Sequence, residues 1–139
     1  MRTVSDLASP LVHRVALADP RAVPAGRYAE AYLRKLGLWE TIRPKVVPTE
    51  NVRGALAAVD SGNVEAAIVY KTDALISKGV RVAIEVPRER GPDIRYALAS
   101  IKEAPHAAAA HRFLDYLCQA EAGAVFERFG FLVVPEPKQ

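Results

Sequence analysis

The sequence predicts an α/β protein of three layers, in which helices cover both faces of an open, mostly parallel sheet. Strand-like and helix-like segments alternate as β-α-β-α-β over the first half of the chain. Short connections and right-handed crossovers turn that order into a parallel sheet. The third strand, Ala66–Tyr70, shows no polar alternation, which is typical of a strand buried on both faces. Alanine is abundant, which favours helices packed closely on a sheet.

The first strand and the loop after it are the centre of this pattern. The segment Arg14–Arg27 reads RVALADPRAVPAGR. Its apolar run predicts a strand over about His13–Ala18, which ends at the turn signal Asp19-Pro20.

The first helix follows that loop. After Pro24-Ala25-Gly26, apolar residues recur at a helical period and predict a helix over about Gly26–Leu36. Gly37 suits its C-terminal cap. Trp39 is expected to fill the gap between this helix and the sheet.

A second strand and helix repeat the unit. Lys45–Val47 predicts a short strand that Pro48 stops, and Thr49 is the expected N-cap of a helix running to about Val59. Lys71–Ala74 then predicts a further short helical turn.

From Val80 onward the pattern changes. Val80–Val86 and Ile94–Ile101 predict two strands added to the sheet. A long helical stretch follows over about Pro105–Phe129, and Gln119-Ala120-Glu121 is expected to break it into two helices.

Composition bounds the class of protein. The chain has 139 residues, is 50% apolar and 25% charged, and carries a net charge of +3. These values indicate a globular domain, and the scattered Lys and Arg argue against nucleic-acid binding. No apolar stretch has bilayer length, and no signal peptide opens the sequence given. The single cysteine, Cys118, is expected to be a buried and inert thiol.

Three segments follow the carboxyl ends of the predicted strands, where open α/β sheets bind ligands. They are Pro24-Ala25-Gly26, Thr49–Arg53 and Tyr70. The first two are helix N-termini with unpaired N–H groups, and the third adds a phenol. Each alone suits a turn, a cap or the core, but together they predict a neutral pocket for an anion. Arg27 and Arg53 lie nearest and are expected to face solvent.

The sequence shows no residue pattern that is typical of a catalytic site. His106 and His111 lie five residues apart, which does not place them on one helix face, and His13 precedes the first strand. No metal-binding, nucleophile or phosphate-loop motif occurs. Asp19 and Asp73 suit turns or caps. The sequence therefore predicts a protein without enzymatic activity, metal site or cofactor.

Several stretches resemble the molybdate-binding proteins of ABC uptake systems, which have the type II periplasmic-binding fold. The similarity covers roughly Ser5 to Val134. The matching stretches are DLASP at Asp6–Pro10, the run Arg14–Trp39, the run Glu50–Ala74, RYALA at Arg95–Ala99 and FERFGF at Phe126–Phe131.

The resemblance implies that molybdate or tungstate is held by hydrogen bonds and without cations. By position, the donors are the backbone N–H groups of Ala25 and Val52 and the hydroxyl of Tyr70. It also implies a periplasmic or other extracytoplasmic location and an ABC transporter permease as partner. It does not separate molybdate from tungstate or sulfate.

The resemblance implies a division into a second, ligand-binding lobe over residues 1–104 and C-terminal helices over residues 105–139. The family's first lobe, with serine-type ligands on the opposite wall, has no counterpart in the sequence given. A truncated or split transport protein is therefore expected, with weak binding by this lobe alone. The C-terminal helices are expected to repack or to expose an apolar face that favours self-association.

Two other classes remain open at this point. An effector-sensing domain of a cytosolic regulator suits the missing signal peptide, but no DNA-binding helices or basic patch accompany it. A small α/β enzyme would need a nucleophile–base pair or a metal cluster, and the sequence offers neither.

Overall fold

The fold is seen in a computed structural model that describes residues 1–134. Within this range the chain forms three strands and six α-helices. The strands are β1 (Val15–Ala18), β2 (Val46–Thr49) and β3 (Ala66–Ile68), and the helices are α1 (Pro24–Lys35), α2 (Trp39–Ile42), α3 (Val52–Asp60), α4 (Lys71–Ile76), α5 (Ala107–Leu117) and α6 (Ala120–Arg128).

The three strands form a parallel sheet in the order β2-β1-β3. Val15 of the central strand is in register with Val46 on one side and with Ala66 on the other. All four residues of β1 are buried. The predicted parallel α/β sheet is therefore confirmed, and β1 is its centre.

Alternate residues of β1 enter two separate cores, one on each face of the sheet. Leu17 packs in a cluster with Leu33 of α1 and with Trp39 and Ile42 of α2. Ala16 packs in a second cluster with α3. Because successive side chains of a strand point to opposite faces, α1 and α2 cover one face and α3 covers the other. This is the predicted three-layer arrangement, and the predicted burial of Trp39 is confirmed.

Both outer strands differ from their predicted bounds. The prediction that Pro48 stops β2 is wrong, since the strand continues through Pro48 to Thr49. Proline is tolerated there because β2 pairs on one side only among residues 1–134, so the missing N–H can face away from β1. β3 ends at Ile68, short of the predicted Tyr70, and its residues are half-buried rather than buried. Like β2, it has a strand neighbour on one side only within the described sheet.

The prediction of strands over Val80–Val86 and Ile94–Ile101 is wrong, because neither segment forms a strand. A β pattern needs a neighbouring strand to bond to, and no described segment pairs with either one. The short helical turn predicted from Lys71 is confirmed as α4.

The chain divides into two compact units, one over Met1–Asp93 and the other from Ile94 onward. The boundary expected from the resemblance, after residue 104, stays a prediction, and residues 135–139 of its second part lie outside the described residues. The sheet and helices α1 to α4 all belong to the first unit.

The second unit contains α5 and α6. The predicted break between them is confirmed, with Gln119 as the N-cap residue of α6. Large apolar side chains stay exposed, among them Phe113 at 60% and Phe129 at 52%. Cys118 is also exposed, so the prediction of a buried thiol is wrong. It is the C-cap residue of α5, directly after the last helical residue.

Candidate functional site

The three residues predicted to hold an anion all follow strand ends on one edge of the sheet. Ala25 lies in the first turn of α1, beyond β1, and Val52 is the first residue of α3, beyond β2. Tyr70 lies two residues beyond β3. Since the strands are parallel, their carboxyl ends meet at this edge, in the first unit of the chain.

Ala25 offers a backbone donor at the start of α1. The helix begins at Pro24, whose missing N–H is no loss in the first turn. The first helical hydrogen bond runs from Arg27 N to Val23 O at 3.2 Å. Within residues 1–134, the Ala25 N–H has no acceptor, although the residue itself is only 7% exposed. A buried donor of this kind is stabilised by any acceptor that reaches it.

Gly26 brings the start of α1 against the end of β1. A Cβ atom at this position would lie 2.0 Å from the carbonyl oxygen of Ala18 and 2.8 Å from the nitrogen of Pro20. Both are backbone atoms, so neither can move aside as a side chain would. The glycine is therefore required for the close approach that places the neighbouring Ala25 donor at the strand end.

Asp19 fixes the loop between β1 and α1. Its carboxylate accepts the Arg21 N–H at 2.9 Å and the Arg21 guanidinium at 2.9 Å. Its carbonyl accepts the N–H groups of Ala22 and Val23. The hydrogen bonds from Arg21 lower the pKa of the Asp19 carboxyl. The expected use of Asp19 in a turn is thus confirmed.

A backbone hydrogen bond joins the ends of β1 and β2. Asp19, one residue beyond β1, donates its N–H to the carbonyl of Thr49, the last residue of β2, at 2.9 Å. This bond holds the loops that carry Ala25 and Val52 together.

Val52 offers the second backbone donor, and its helix is capped by Asn51. The Asn51 side chain accepts the Gly54 N–H at 2.9 Å. The prediction of Thr49 as the cap is wrong, because Thr49 belongs to β2 and its hydroxyl donates to the Asn51 carbonyl at 2.9 Å. Within the described part of the chain, the Val52 N–H has no acceptor.

Tyr70 is half-buried and connects β3 to α4. Its carbonyl accepts the N–H groups of Asp73 at 3.1 Å and Ala74 at 3.2 Å. These hydrogen bonds fix the backbone of Tyr70 at the turn, and so they fix the position from which its side chain starts.

The two arginines near this edge, Arg27 and Arg53, are exposed. The Arg27 guanidinium donates to the carbonyls of Pro20 at 3.3 Å and Arg21 at 3.4 Å. The prediction that both arginines face solvent is confirmed. Among residues 1–134 no cluster of His, Cys, Asp and Glu suits a metal ion. The donors at this edge are therefore neutral backbone groups, which suit an anion.

Two features of the edge were missed from the sequence. Asn51 is a better cap than Thr49 by residue type, and Gly54 three residues later provides the matching N–H. The tight contact of Gly26 has no sequence signal beyond the glycine itself, because it depends on where the Ala18 carbonyl lies.

None of the helices in residues 1–134 has the length and apolar character needed to cross a membrane. Comparison with known families shows that residues 1–132 match the model of a family described as bacterial extracellular solute-binding protein.

A relative from Escherichia coli supports this match. The chain is 42% identical, over 120 residues, to the molybdate-binding protein ModA of Escherichia coli. The alignment covers 86% of this chain and 46% of ModA, so the chain spans about half the length of that relative.

Solved structures show the same fold. One is the substrate-binding domain of a protein described as a molybdenum ABC transporter from Clostridium difficile, with a TM-score of 0.83 and 29% identity. That match covers 96% of this chain and 58% of the other. The periplasmic molybdate-binding protein of Azotobacter vinelandii, at 19% identity, aligns with a TM-score of 0.70 over 92% of this chain and 57% of its own.

Proposed function

The chain belongs to the family of bacterial extracellular solute-binding proteins, and on that premise we propose that it binds a tetrahedral oxyanion of the molybdate type for an ABC uptake system. The family also confirms the prediction that the chain is a binding protein and not an enzyme.

The observation that carries the proposal is the pair of unpaired N–H groups at neighbouring strand ends. Ala25 and Val52 each begin a helix, and the bond from Asp19 N to Thr49 O holds their two loops together. Helix N-termini favour anions through their dipoles and their free N–H groups. An oxyanion with several equivalent oxygens can accept from both donors at once.

The Tyr70 hydroxyl is the proposed third donor. The residue follows the strand on the other side of β1, so it approaches the edge from the side opposite Val52. A phenol donates one hydrogen bond without adding charge. Neutral donors select an anion by shape and number of acceptors, and they match molybdate and tungstate equally well.

The proposed location is outside the cytoplasm, and the proposed partner is the permease of an ABC transporter. The support is in the names of the relatives, since the family is described as extracellular and the Clostridium relative as part of an ABC transporter.

The sharpest test removes one backbone N–H and keeps the start of the helix. Val52 is the first residue of α3, a position that accepts proline, and the preceding Asn51 already has the extended backbone that proline requires. Val52→Pro therefore deletes the donor while keeping the helix start. Val52→Ala is the matched control, because it shortens the same side chain and keeps the N–H.

Both variants are titrated calorimetrically with molybdate, tungstate, sulfate and phosphate, up to millimolar anion. We expect molybdate and tungstate to bind to the parent chain and to Val52→Ala, and Val52→Pro to lose about tenfold in affinity, as for one hydrogen bond to a charged group. Tyr70→Phe is expected to weaken binding in the same direction. Equal binding by Val52→Pro and Val52→Ala would contradict the proposed donor set.

A further inference from the structure

Thr49, the last residue of β2, contacts both loops that carry the proposed backbone donors. Its carbonyl accepts the Asp19 N–H at 2.9 Å, at the start of the loop that leads to Ala25. Its hydroxyl donates to the Asn51 carbonyl at 2.9 Å, one residue before Val52. The first bond joins two backbones and needs no particular side chain. The second bond requires a hydroxyl, so the residue type matters at this position.

The Asn51 carbonyl and the Val52 N–H belong to one peptide group. A peptide group is planar, and in the trans form, which this one has, its C=O and N–H point in opposite directions. A hydrogen bond that fixes the direction of the carbonyl therefore also fixes the direction of the N–H. The backbone of Asn51 is still extended, at φ −158° and ψ 174°, so helical geometry alone does not set this peptide plane.

The Thr49 hydroxyl makes the shorter of two hydrogen bonds to this carbonyl. The other comes from the Ala55 N–H, the first bond of α3, at 3.3 Å. Room for the threonine side chain exists because Gly54 faces it, where an added Cβ would lie 3.4 Å from the Thr49 Cβ and 3.8 Å from its hydroxyl oxygen. Threonine is branched at Cβ and has few side-chain conformations, so the hydroxyl is held in this place.

We propose that Thr49 is a positioning residue of the oxyanion site, whose hydroxyl orients and polarises the Asn51–Val52 peptide group. A hydrogen bond to the carbonyl strengthens the N–H of the same peptide group as a donor, because both bonds polarise the group in the same direction. The hydroxyl adds no charge, so the site stays neutral. This inference rests on the proposed function, since Thr49 acts on the anion only through the Val52 N–H.

Substitutions of Thr49 test this role by calorimetric titration with molybdate. Thr49→Val removes the hydroxyl and keeps a branched side chain that suits a strand. Thr49→Ser keeps the hydroxyl, and Thr41→Val makes the same change at an exposed residue of α2 as the matched control. We expect Thr49→Val to bind molybdate about fivefold more weakly, and the other two to stay within about twofold of the parent chain.

A second variant separates loss of the hydroxyl from crowding. In Thr49→Val a methyl group takes the place of the hydroxyl beside the Asn51 carbonyl, whereas Thr49→Ala leaves that space empty. We expect both variants to weaken molybdate binding equally, with circular dichroism showing that each is folded. Weakened binding in Thr49→Val with parent affinity in Thr49→Ala would overturn the proposal, because the methyl group and not the missing hydroxyl would be the cause.

The double variant that combines Thr49→Val with Val52→Pro tests the route of the effect. Once the Val52 N–H is deleted, nothing remains for the hydroxyl to position. We therefore expect the double variant to bind molybdate as Val52→Pro does, although the two single losses would multiply if they were independent. A further loss in the double variant would overturn the proposal, because Thr49 would then act on the anion by another route.

The outcomes distinguish this inference from the proposed function. If Thr49→Val binds molybdate as the parent does while Val52→Pro binds more weakly than Val52→Ala, the donor set stands and the role of Thr49 is overturned. If Val52→Pro and Val52→Ala bind equally, or if the parent chain binds no molybdate, the donor and the residue that positions it are overturned together.

Discussion

The sheet around β1 and the stretch beyond Val80 have equally clear apolar patterns and very different burial. Every residue of β1 is at most 1% exposed, whereas Leu98 is 61% exposed and Ile101 is 77% exposed. In the first region each apolar face meets a partner that is near in sequence, a crossover helix or an adjacent strand. In the second region the described residues supply no such partner strand. The comparison shows that a pattern becomes structure only where its complementary surface is present.

The largest effect is expected at a buried leucine of the first region, and an exposed leucine of the second region is its control. Leu33 is fully buried between α1 and the sheet. Leu33→Ala is expected to lower the free energy of unfolding by about 2–5 kcal/mol, because it removes buried surface and leaves a cavity. Leu98→Ala makes the same chemical change at an exposed position and is expected to stay within about 0.5 kcal/mol. Urea denaturation of both variants, followed by circular dichroism, measures the difference.

If Leu98→Ala lowered the free energy of unfolding as much as Leu33→Ala does, the contrast between the two regions would be wrong. It would mean that the second region is covered in solution by a surface that the described residues do not provide.

A smaller effect is expected from the glycine that joins β1 to the site. Gly26→Ala places a methyl group 2.0 Å from a backbone carbonyl, so α1 must move away from the strand end. We expect a loss of about 1–3 kcal/mol, which is typical of overpacking. Ala25, a proposed backbone donor, directly precedes Gly26. We therefore expect Gly26→Ala to weaken molybdate binding as well.

Gly54→Ala is the control for the same substitution inside a helix. Its new methyl group would lie 3.4 Å from the Thr49 Cβ, which is an ordinary contact. The variant is expected to gain up to about 1 kcal/mol from helix propensity. Equal free energies of unfolding for the two variants would show that the loop has room at Gly26.

Prediction from sequence succeeded where local pattern and burial agree. β1, α1 and the break before α6 follow from apolar period, turn residues and caps. It failed where a segment far along the chain determines whether a stretch forms a strand and where that strand ends. In the part of the chain that the structure describes, Pro48 remains in a strand because that strand pairs on one side only, and Val80–Val86 stays irregular because no segment pairs with it. The choice between Thr49 and Asn51 as cap depended on where β2 ends, which neighbouring strands determine.

The same reasoning applies to the proposed site. The three positions follow three strands whose order along the chain the sequence predicts, although the predicted ends of β2 and β3 are each wrong by two residues. The hydrogen bond from Asp19 N to Thr49 O, which holds two of them together, depends on strand register. Register is a property of two paired strands, so the sequence of one strand alone does not predict it.

The smallest expected effect concerns the opposite edge of the sheet, where Glu65 joins β1 to β3. Its carboxylate accepts the backbone N–H of His13 at 3.0 Å and that of Arg14 at 2.6 Å. Both hydrogen bonds lower the pKa of Glu65 below its usual 4.5, and the bond from Arg14 has the larger effect. A carboxyl whose pKa is lower in the folded chain binds its proton more readily when unfolded. Its contribution to stability is therefore present above the unfolded pKa and is lost as pH falls through the folded one.

Glu65→Gln keeps an acceptor at this position and removes the titration. We expect the parent chain to be the more stable at pH 6, because a carboxylate accepts stronger hydrogen bonds than an amide. The difference between the two should shrink as the pH falls below about 4.5, since protonated Glu65 also accepts as a neutral group. Urea midpoints measured from pH 6 to pH 3 test this, and subtracting the variant removes the titration of Asp6 and Asp19, whose pKa values are also lowered. A difference that is constant with pH would show that Glu65 is not titrating against these N–H groups. The link between β1 and β3 would then rest on their backbone ladder alone.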